Sequence, residues 1–294
     1  MFYVQNIDSL EQPELRPYAT MRRPHEQREQ GIFVAEGEKV VRRLLESDFT
    51  VVSVLLPEKW VREYEPLLKS RRENIQVFLA EKKLLETLVG FSMFQGILAV
   101  GKVPAPHSLR QILLRAKSPR LFVAVDALSN AENLGALVRN CVAFNVQVLV
   151  VGETSSSPFL RRAVRNSMGT IFQLPVVELG HPKDELHESQ NPQAATRVTR
   201  PSENLVEALR ELRAAGVRCI AAHPRADGRK LSDADFTGDC CVVFGSEGYG
   251  ISSAALEACD ERVAIPMPPT VDSLNVGAAA AVFLYEANRQ RGLA

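Results

Sequence analysis

Apolar positions along the chain alternate between short continuous runs and helical stripes, and this alternation predicts a strand–helix protein. Residues 1–30 are polar and charged, with a helix near 24–30. Residues 32–35 then read as a short strand, broken by Glu36 and Gly37. Residues 38–46 carry Val40, Val41, Leu44 and Leu45 on one helical face. Strands are predicted at 51–56, 76–79 and 96–100, with a helix at 84–88. Pro104-Ala105-Pro106 ends this alternating unit, so the boundary between a first domain (1–106) and a second (107–294) is set at 103–108.

The second domain alternates as well. Residues 121–125, Leu-Phe-Val-Ala-Val, form the continuous apolar run expected of a strand covered on both faces. Helices are predicted at 134–144, 159–166, 203–215, 254–259 and 274–288. Strands are predicted at 146–151, 217–222, 240–244 and 262–265, with 171–177 extended. The expected fold class is α/β, a mostly parallel sheet with helices on both faces, preceded by a smaller α/β domain. A polar stretch at 180–200 reads as an insertion without a catalytic part.

Composition narrows the class. Hydrophobic residues make up 46% and charged residues 24%, as in soluble globular proteins, and no apolar run is long enough to cross a bilayer. The first residues lack the basic-then-apolar form of a secretory signal, so a cytoplasmic protein without membrane partners is expected. Five cysteines without C-x-x-C spacing read as reduced core thiols. His181 and His187 flank a polar loop rather than forming a metal pattern, and no metal is expected. Net charge is zero, which gives no bulk attraction to nucleic acid. Residues 107–180, however, carry 8 Lys+Arg against 4 Asp+Glu, including Arg139, Arg161, Arg162 and Arg165. Charge alone fits a phosphate-facing patch and a solvated helix face equally well.

Three loops at predicted strand ends carry the candidate chemistry, because ligands of parallel α/β sheets bind beyond the carboxyl ends of strands. The first runs from Asp126 to Asn140. Asn133 is positioned to cap the following helix, and Arg139 falls one turn after Gly135 on the same side. An arginine there suits bidentate phosphate binding, and a plain capped helix with a surface arginine fits too. The second loop is Phe244-Gly245-Ser246-Glu247-Gly248-Tyr249-Gly250-Ile251. Its glycines permit close backbone approach to a ligand, but their spacing is neither dinucleotide-binding nor P-loop. Glu247 has no packing reason to sit in such a turn. The third runs from Ile265 through Met267 and the Pro268-Pro269 pair to Asp272, Ser273, Leu274 and Asn275. Asp272 or Ser273 is expected to cap a helix of small residues that packs closely on a neighbour, on a flat ligand, or on both.

Taken together and in order, these loops resemble the three signature motifs of the SpoU/TrmH (SPOUT) family of RNA ribose 2′-O-methyltransferases. The matching residues are Asn133-x-Gly135-Ala136-x-x-Arg139, Phe244-Gly245-Ser246-Glu247-Gly248, and Ile265-Pro266-Met267 with Ser273-Leu274-Asn275-Val276. Arg165-Asn166-Ser167-Met168-Gly169-Thr170 resembles the family's short Ser-x-Gly turn. Segments 31–41 and 95–100 are similar to the L30e-like RNA substrate-binding domain that precedes many members.

Periodicity alone predicts an open doubly wound sheet without a knot, because chain knots are rare. The resemblance instead implies a deep trefoil knot, here over roughly 244–281, that holds S-adenosyl-methionine in a bent shape and builds a homodimer. It implies that Gly245, Ile265, Met267 and Leu274 bind the cofactor. It implies that Arg139 acts on the 2′-hydroxyl, with Asn133, Glu247, Ser273 and Asn275 orienting ribose, arginine and cofactor. Arg161, Arg162 and Arg165 are candidate RNA contacts. A guanidinium is a poor base, so two roles for Arg139 stay open: a base assisted by an RNA phosphate, or a group that positions that phosphate and stabilises alkoxide charge. The second is favoured. The presence of residues 1–106 favours ribosomal over transfer RNA. A fold-sharing RNA-binding factor without activity is the main alternative, followed by a nucleotide-dependent α/β enzyme of another kind. Pro268, Pro269 and Gly277 depart from the family pattern, in which a glycine often follows Met267 closely and serine or alanine is more usual at 277.

Overall fold

In the computed structural model, which describes residues 1–89, 96–180, 204–225 and 229–293, the strands form two separate sheets. The chain divides into two units, Met1–Ala105 with Pro158–Gln173, and Pro106–Ser157 with Leu174–Ala294.

The first unit holds β1 (Phe2–Asn6), β2 (Ile32–Glu36), β3 (Val51–Leu56), β4 (Ile75–Leu79) and β5 (Leu98–Lys102), in the order β1-β4-β3-β5-β2. β1, β4 and β3 run parallel, and β5 is antiparallel to both of its neighbours. Its helices are α1 (Arg16–Ala19), α2 (Pro24–Glu29), α3 (Glu38–Glu46), α4 (Val61–Ser70) and α5 (Lys82–Val89). The apolar stripe read on α3 is its buried face. Leu15, Tyr18, Val34, Leu55, Phe78 and Leu98 join in one core, where the Tyr18 hydroxyl shares a 2.8 Å hydrogen bond with Ser53 Oγ.

The later stretch Pro158–Gln173 packs into this first unit. Phe159 and Phe172 gather around Phe33 and Phe49, with ring centroids 5.2 Å apart for Phe49 and Phe172. Helix α8 (Arg161–Asn166) brings Arg161 and Arg165 onto the buried Glu36, the Arg165 contact measuring 2.9 Å. Burial of Glu36 is tolerable because two guanidinium groups meet it. The single break near residue 105 therefore does not describe the chain fully, since this stretch returns to the first unit.

The second unit holds β6 (Leu121–Val125), β7 (Val148–Val151), β8 (Val176–Glu178), β9 (Arg218–Ala222), β10 (Cys240–Phe244) and β11 (Glu261–Val263). Their order is β11-β9-β10-β6-β7-β8, and every pairing is parallel. β6 and β10 are buried at every position, which is why their sequences are apolar without alternation. The helices are α6 (Leu109–Arg115), α7 (Ala131–Ala143), α9 (Leu205–Ala214), α10 (Ser253–Ala258) and α11 (Val276–Gln290). α7 and α11 pack together through small residues: Asn140 Nδ2 donates to Gly277 O at 2.6 Å, and a Cβ on Gly277 would lie 3.2 Å from that of Ala136. Beyond α11, Arg291 donates to the carbonyls of Phe236 (2.8 Å), Arg120 (2.8 Å) and Gly238 (2.7 Å), fixing the helix end beside the sheet.

β6 and β10 are neighbours, while β7 and β9 lie outward on opposite sides. The chain thus leaves this central pair in two directions, and a crevice opens at the carboxyl ends of the strands.

Several local expectations need correction. Asn130, not Asn133, caps α7, its Oδ1 accepting from Glu132 N at 2.8 Å and Asn133 N at 3.3 Å. Asn275, not Asp272 or Ser273, caps α11, accepting from Gly277 N at 2.9 Å. The extended reading of 171–177 gives way to a 3-10 turn at Thr170–Gln173 before β8. β1, α4 and α6 were not read from the sequence. The polar insertion beyond Gly180, with His181 and His187, and Gln95 of the first-domain resemblance lie outside the described residues.

Candidate active site

The loops after β6, β9, β10 and β11 meet at the carboxyl edge of the second sheet. After β6, Asp126 is buried and accepts from Ser252 N at 2.7 Å, tying this loop to the start of α10. The next residue, Ala127, has φ 52°, a left-handed conformation that costs a non-glycine residue roughly 1–2 kcal/mol. Leu128 N holds the turn by donating to Ser155 Oγ at 3.1 Å. The result is a firmly placed start for α7, and Asn133 sits in its first turn.

After β10 the chain folds back at once. Ser246 N donates to Gly250 O (3.0 Å), Gly250 N to Ser246 O (2.9 Å), and Tyr249 N to Ser246 Oγ (3.1 Å). A Cβ on Gly245 would lie 2.1 Å from the Gly250 carbonyl carbon, so only glycine fits beneath this returning strand. The hairpin lifts Glu247 toward Asn275. Asn275 Nδ2 donates to Glu247 Oε1 at 2.6 Å and to Asn133 Oδ1 at 3.2 Å, while its Oδ1 caps α11. One amide thereby joins all three candidate loops, and only an amide has both the donors and the acceptor this needs.

Beside this clasp lies a cleft of about 510 Å³. Gly245, Glu247, Ile265, Met267, Ser273 and Leu274, all singled out from sequence, line it. His223, Pro224 and Arg225 after β9 line it too and were missed. The signal for them was present, because they follow the carboxyl end of a predicted parallel strand. Arg139 stands apart: it is exposed on α7, does not line the cleft, and has no partner for its guanidinium among the described residues. Of the three arginines on α8, Arg162 is exposed, Arg165 is 52% exposed while paired, and Arg161 is only 14% exposed and committed to Glu36. All three belong to the first unit. Among the described residues, no three His, Cys, Asp or Glu side chains gather as metal ligands, and no helix is long and apolar enough to cross a membrane.

The profile of the SpoU rRNA Methylase family matches residues 120–204 and 192–285, a span that contains every loop of the cleft. The chain belongs to this family. An uncharacterised tRNA/rRNA methyltransferase of Mycobacterium tuberculosis is 30% identical over 97% of this chain and 92% of its own length. The 23S rRNA (guanosine-2′-O-)-methyltransferase RlmB of Shewanella oneidensis is 29% identical over 77% of this chain and 83% of its own. Among solved structures, the SpoU methyltransferase AviRb of Streptomyces viridochromogenes, in complex with AdoMet, is similar with a TM-score of 0.75 and 25% identity. That similarity covers 96% of this chain and 98% of AviRb.

As a SpoU family member, the protein is an S-adenosyl-methionine-dependent RNA methyltransferase. The cleft fits this cofactor on its own terms. Its volume lies within the usual range for small-molecule sites. Phe244, Ile251, Ile265, Met267 and Leu274 supply apolar wall for a purine. The Gly245 backbone lines the cleft beside them, and Glu247, Asp272, His223 and Arg225 provide charged or polar ends.

Proposed function

We propose that this SpoU protein methylates a ribose 2′-hydroxyl of ribosomal RNA. The observation that carries the reading is the Asn133–Asn275–Glu247 clasp beside the cleft, which unites three loops into one polar edge. The likeness to RlmB, itself a 23S rRNA guanosine-2′-O-methyltransferase, supports the acceptor atom and the RNA class. An intact clasp also weighs against an RNA-binding factor that has lost activity.

Bound S-adenosyl-methionine supplies an electrophilic methyl group on a sulfonium. With it bound, the ribose oxygen would form the new C–O bond as the S–C bond broke, releasing a neutral thioether and the hydroxyl proton to solvent. Such a displacement needs proximity and alignment and draws its rate from positioning. Gly245, Ile265, Met267 and Leu274 hold the cofactor, with Ser273 at the cleft edge. Glu247, Asn133 and Asn275 orient the ribose. Arg139 contributes through charge: its guanidinium pairs with a phosphate beside the target ribose and stabilises the oxygen as negative charge builds there. Tyr249, 97% exposed at the cleft mouth on a hydrogen-bonded hairpin, offers a ring face for a nucleobase.

The reading carries three further parts. The segment 244–281 forms a trefoil knot, two chains pair through the knotted region, and the first unit binds RNA as an L30e-like domain. Calorimetric titration with S-adenosyl-methionine, followed by transfer of labelled methyl to ribosomal and to transfer RNA, tests the proposal. Binding in the micromolar range with label on ribosomal RNA is expected. No binding at millimolar cofactor contradicts it, as does label on transfer RNA alone.

A further inference from the structure

Arg225 was absent from the sequence-based site, yet it lines the cofactor cleft from the loop after β9. It is exposed, and among the described residues its guanidinium has no hydrogen-bond or ion-pair partner. Its backbone is tied down. His223 Nδ1 lies 2.7 Å from Arg225 O and 3.1 Å from Arg225 N. A protonated Nδ1 donates to the carbonyl and an unprotonated one accepts from the N–H, so either form of the ring closes the same turn. His223 N in turn donates to Val263 O at 3.0 Å, which anchors the turn to β11.

The charges around the cleft are sorted by loop. Glu247 and Asp272 come from the loops after β10 and β11, and among the described residues Arg225 is the only guanidinium or ammonium group on the lining. The amino-acid end of S-adenosyl-methionine carries an ammonium and a carboxylate. A carboxylate entering this cleft has the Arg225 guanidinium to meet, and a guanidinium fork matches it bidentately.

We infer that Arg225, its backbone pinned by His223, is the cofactor-binding residue that takes the carboxylate of S-adenosyl-methionine. The inference rests on the cofactor assignment made above, and it separates this role from binding an RNA phosphate at the cleft mouth. The test uses the full-length protein and its Arg225→Gln variant, titrated without RNA against S-adenosyl-methionine and against decarboxylated S-adenosyl-methionine. The exposed side chain carries no packing, so the variant is expected to melt with wild type. Loss of a charge-assisted pair at a half-open site weakens S-adenosyl-methionine roughly tenfold. The decarboxylated ligand is expected to bind both proteins equally. Equal weakening of both ligands, or of neither, overturns the inference. If both cofactor affinities hold while RNA binding falls with a reduced salt dependence, Arg225 serves a phosphate instead and the inference fails. A wild-type protein that binds neither ligand contradicts the cofactor assignment itself, a result distinct from all of these.

Discussion

Changing Asn275 to aspartate separates two roles that the same residue fills. As a helix cap, aspartate equals asparagine, and its charge at the N-terminus of α11 adds about 0.3–1 kcal/mol of favourable dipole interaction. If capping were the whole role, Asn275→Asp would leave the protein unchanged or more stable. The clasp predicts the opposite. An oxygen replaces the Nδ2 that donates to Glu247 Oε1 at 2.6 Å and Asn133 Oδ1 at 3.2 Å. Two hydrogen bonds are lost, worth roughly 0.5–1.5 kcal/mol each. Two carboxylates also face each other, and even after relaxing to about 4 Å they repel by about 1 kcal/mol in water and about 4 at a protein surface. After the dipole gain is subtracted, a net loss of about 2 kcal/mol is a conservative expectation. For a unit of this size that lowers the melting midpoint by about 4–8 °C. Circular dichroism melts at low salt and in 1 M NaCl are the assay, with part of the loss recovered in high salt as the repulsion is screened. A variant that melts at or above wild type at low salt refutes the clasp.

Arg139→Ala is expected to keep S-adenosyl-methionine affinity within about twofold and to cut methyl transfer by about 10²-fold or more, read from cofactor titration and single-turnover rates; transfer at the wild-type rate removes Arg139 from the mechanism. Gly245→Ala puts a Cβ 2.1 Å from the Gly250 carbonyl carbon, so the hairpin must open and cofactor binding must be lost in the same titration. Glu73 is partly buried, which disfavours its charge, but hydrogen bonds from Arg71 and Val51 N outweigh this and hold its carboxyl at about 2, below its ordinary 4.5. Its stabilising contribution is therefore complete above pH 4.5 and lost as pH falls toward 2, and Glu73→Gln is expected to flatten the fall in urea midpoint between pH 5 and 3. The thiols are free. Burial pushes Cys240 to about 11, Cys259 to about 12 and Cys141 higher still, while a hydrogen bond with Cys219, then burial, raises Cys241. A thiol reagent at pH 8 is expected to react slowly with these four in the native protein and fast after unfolding.

The second unit was legible because its central strands are buried on both faces. Leu121–Val125 and Cys240–Phe244 have no polar residue to confuse the period. In the first unit, β1 escaped notice because it is a sheet edge with an exposed pattern, and Tyr3 and Val4 face solvent. Helix α4 escaped because it contains Pro66 and buries only Tyr64 and Leu68. At the site, residue types and loop order were readable, but hydrogen-bond partners were not. In sequence Asn133 looks like one cap and Asp272 or Ser273 like the other, whereas Asn130 and Asn275 fill those places. Which residue caps depends on where the chain turns, and a separation of 142 positions hides the contact between Asn133 and Asn275. The same distance problem hid the role of Glu36. It read as a strand breaker, whereas Arg161 and Arg165, more than a hundred residues later, make it a buried ionic centre. For those two arginines charge left a phosphate-facing patch and a solvated helix face equally open, because charge without geometry does not reveal its partner.

The central claim is that methyl reaches a ribose oxygen. Ribosomal RNA from a strain lacking this gene, incubated with the purified protein and isotopically labelled S-adenosyl-methionine, is digested to nucleosides and read by mass spectrometry. The account predicts one labelled nucleoside whose methyl stays with the sugar fragment when the glycosidic bond breaks. A methyl that travels with the base contradicts it.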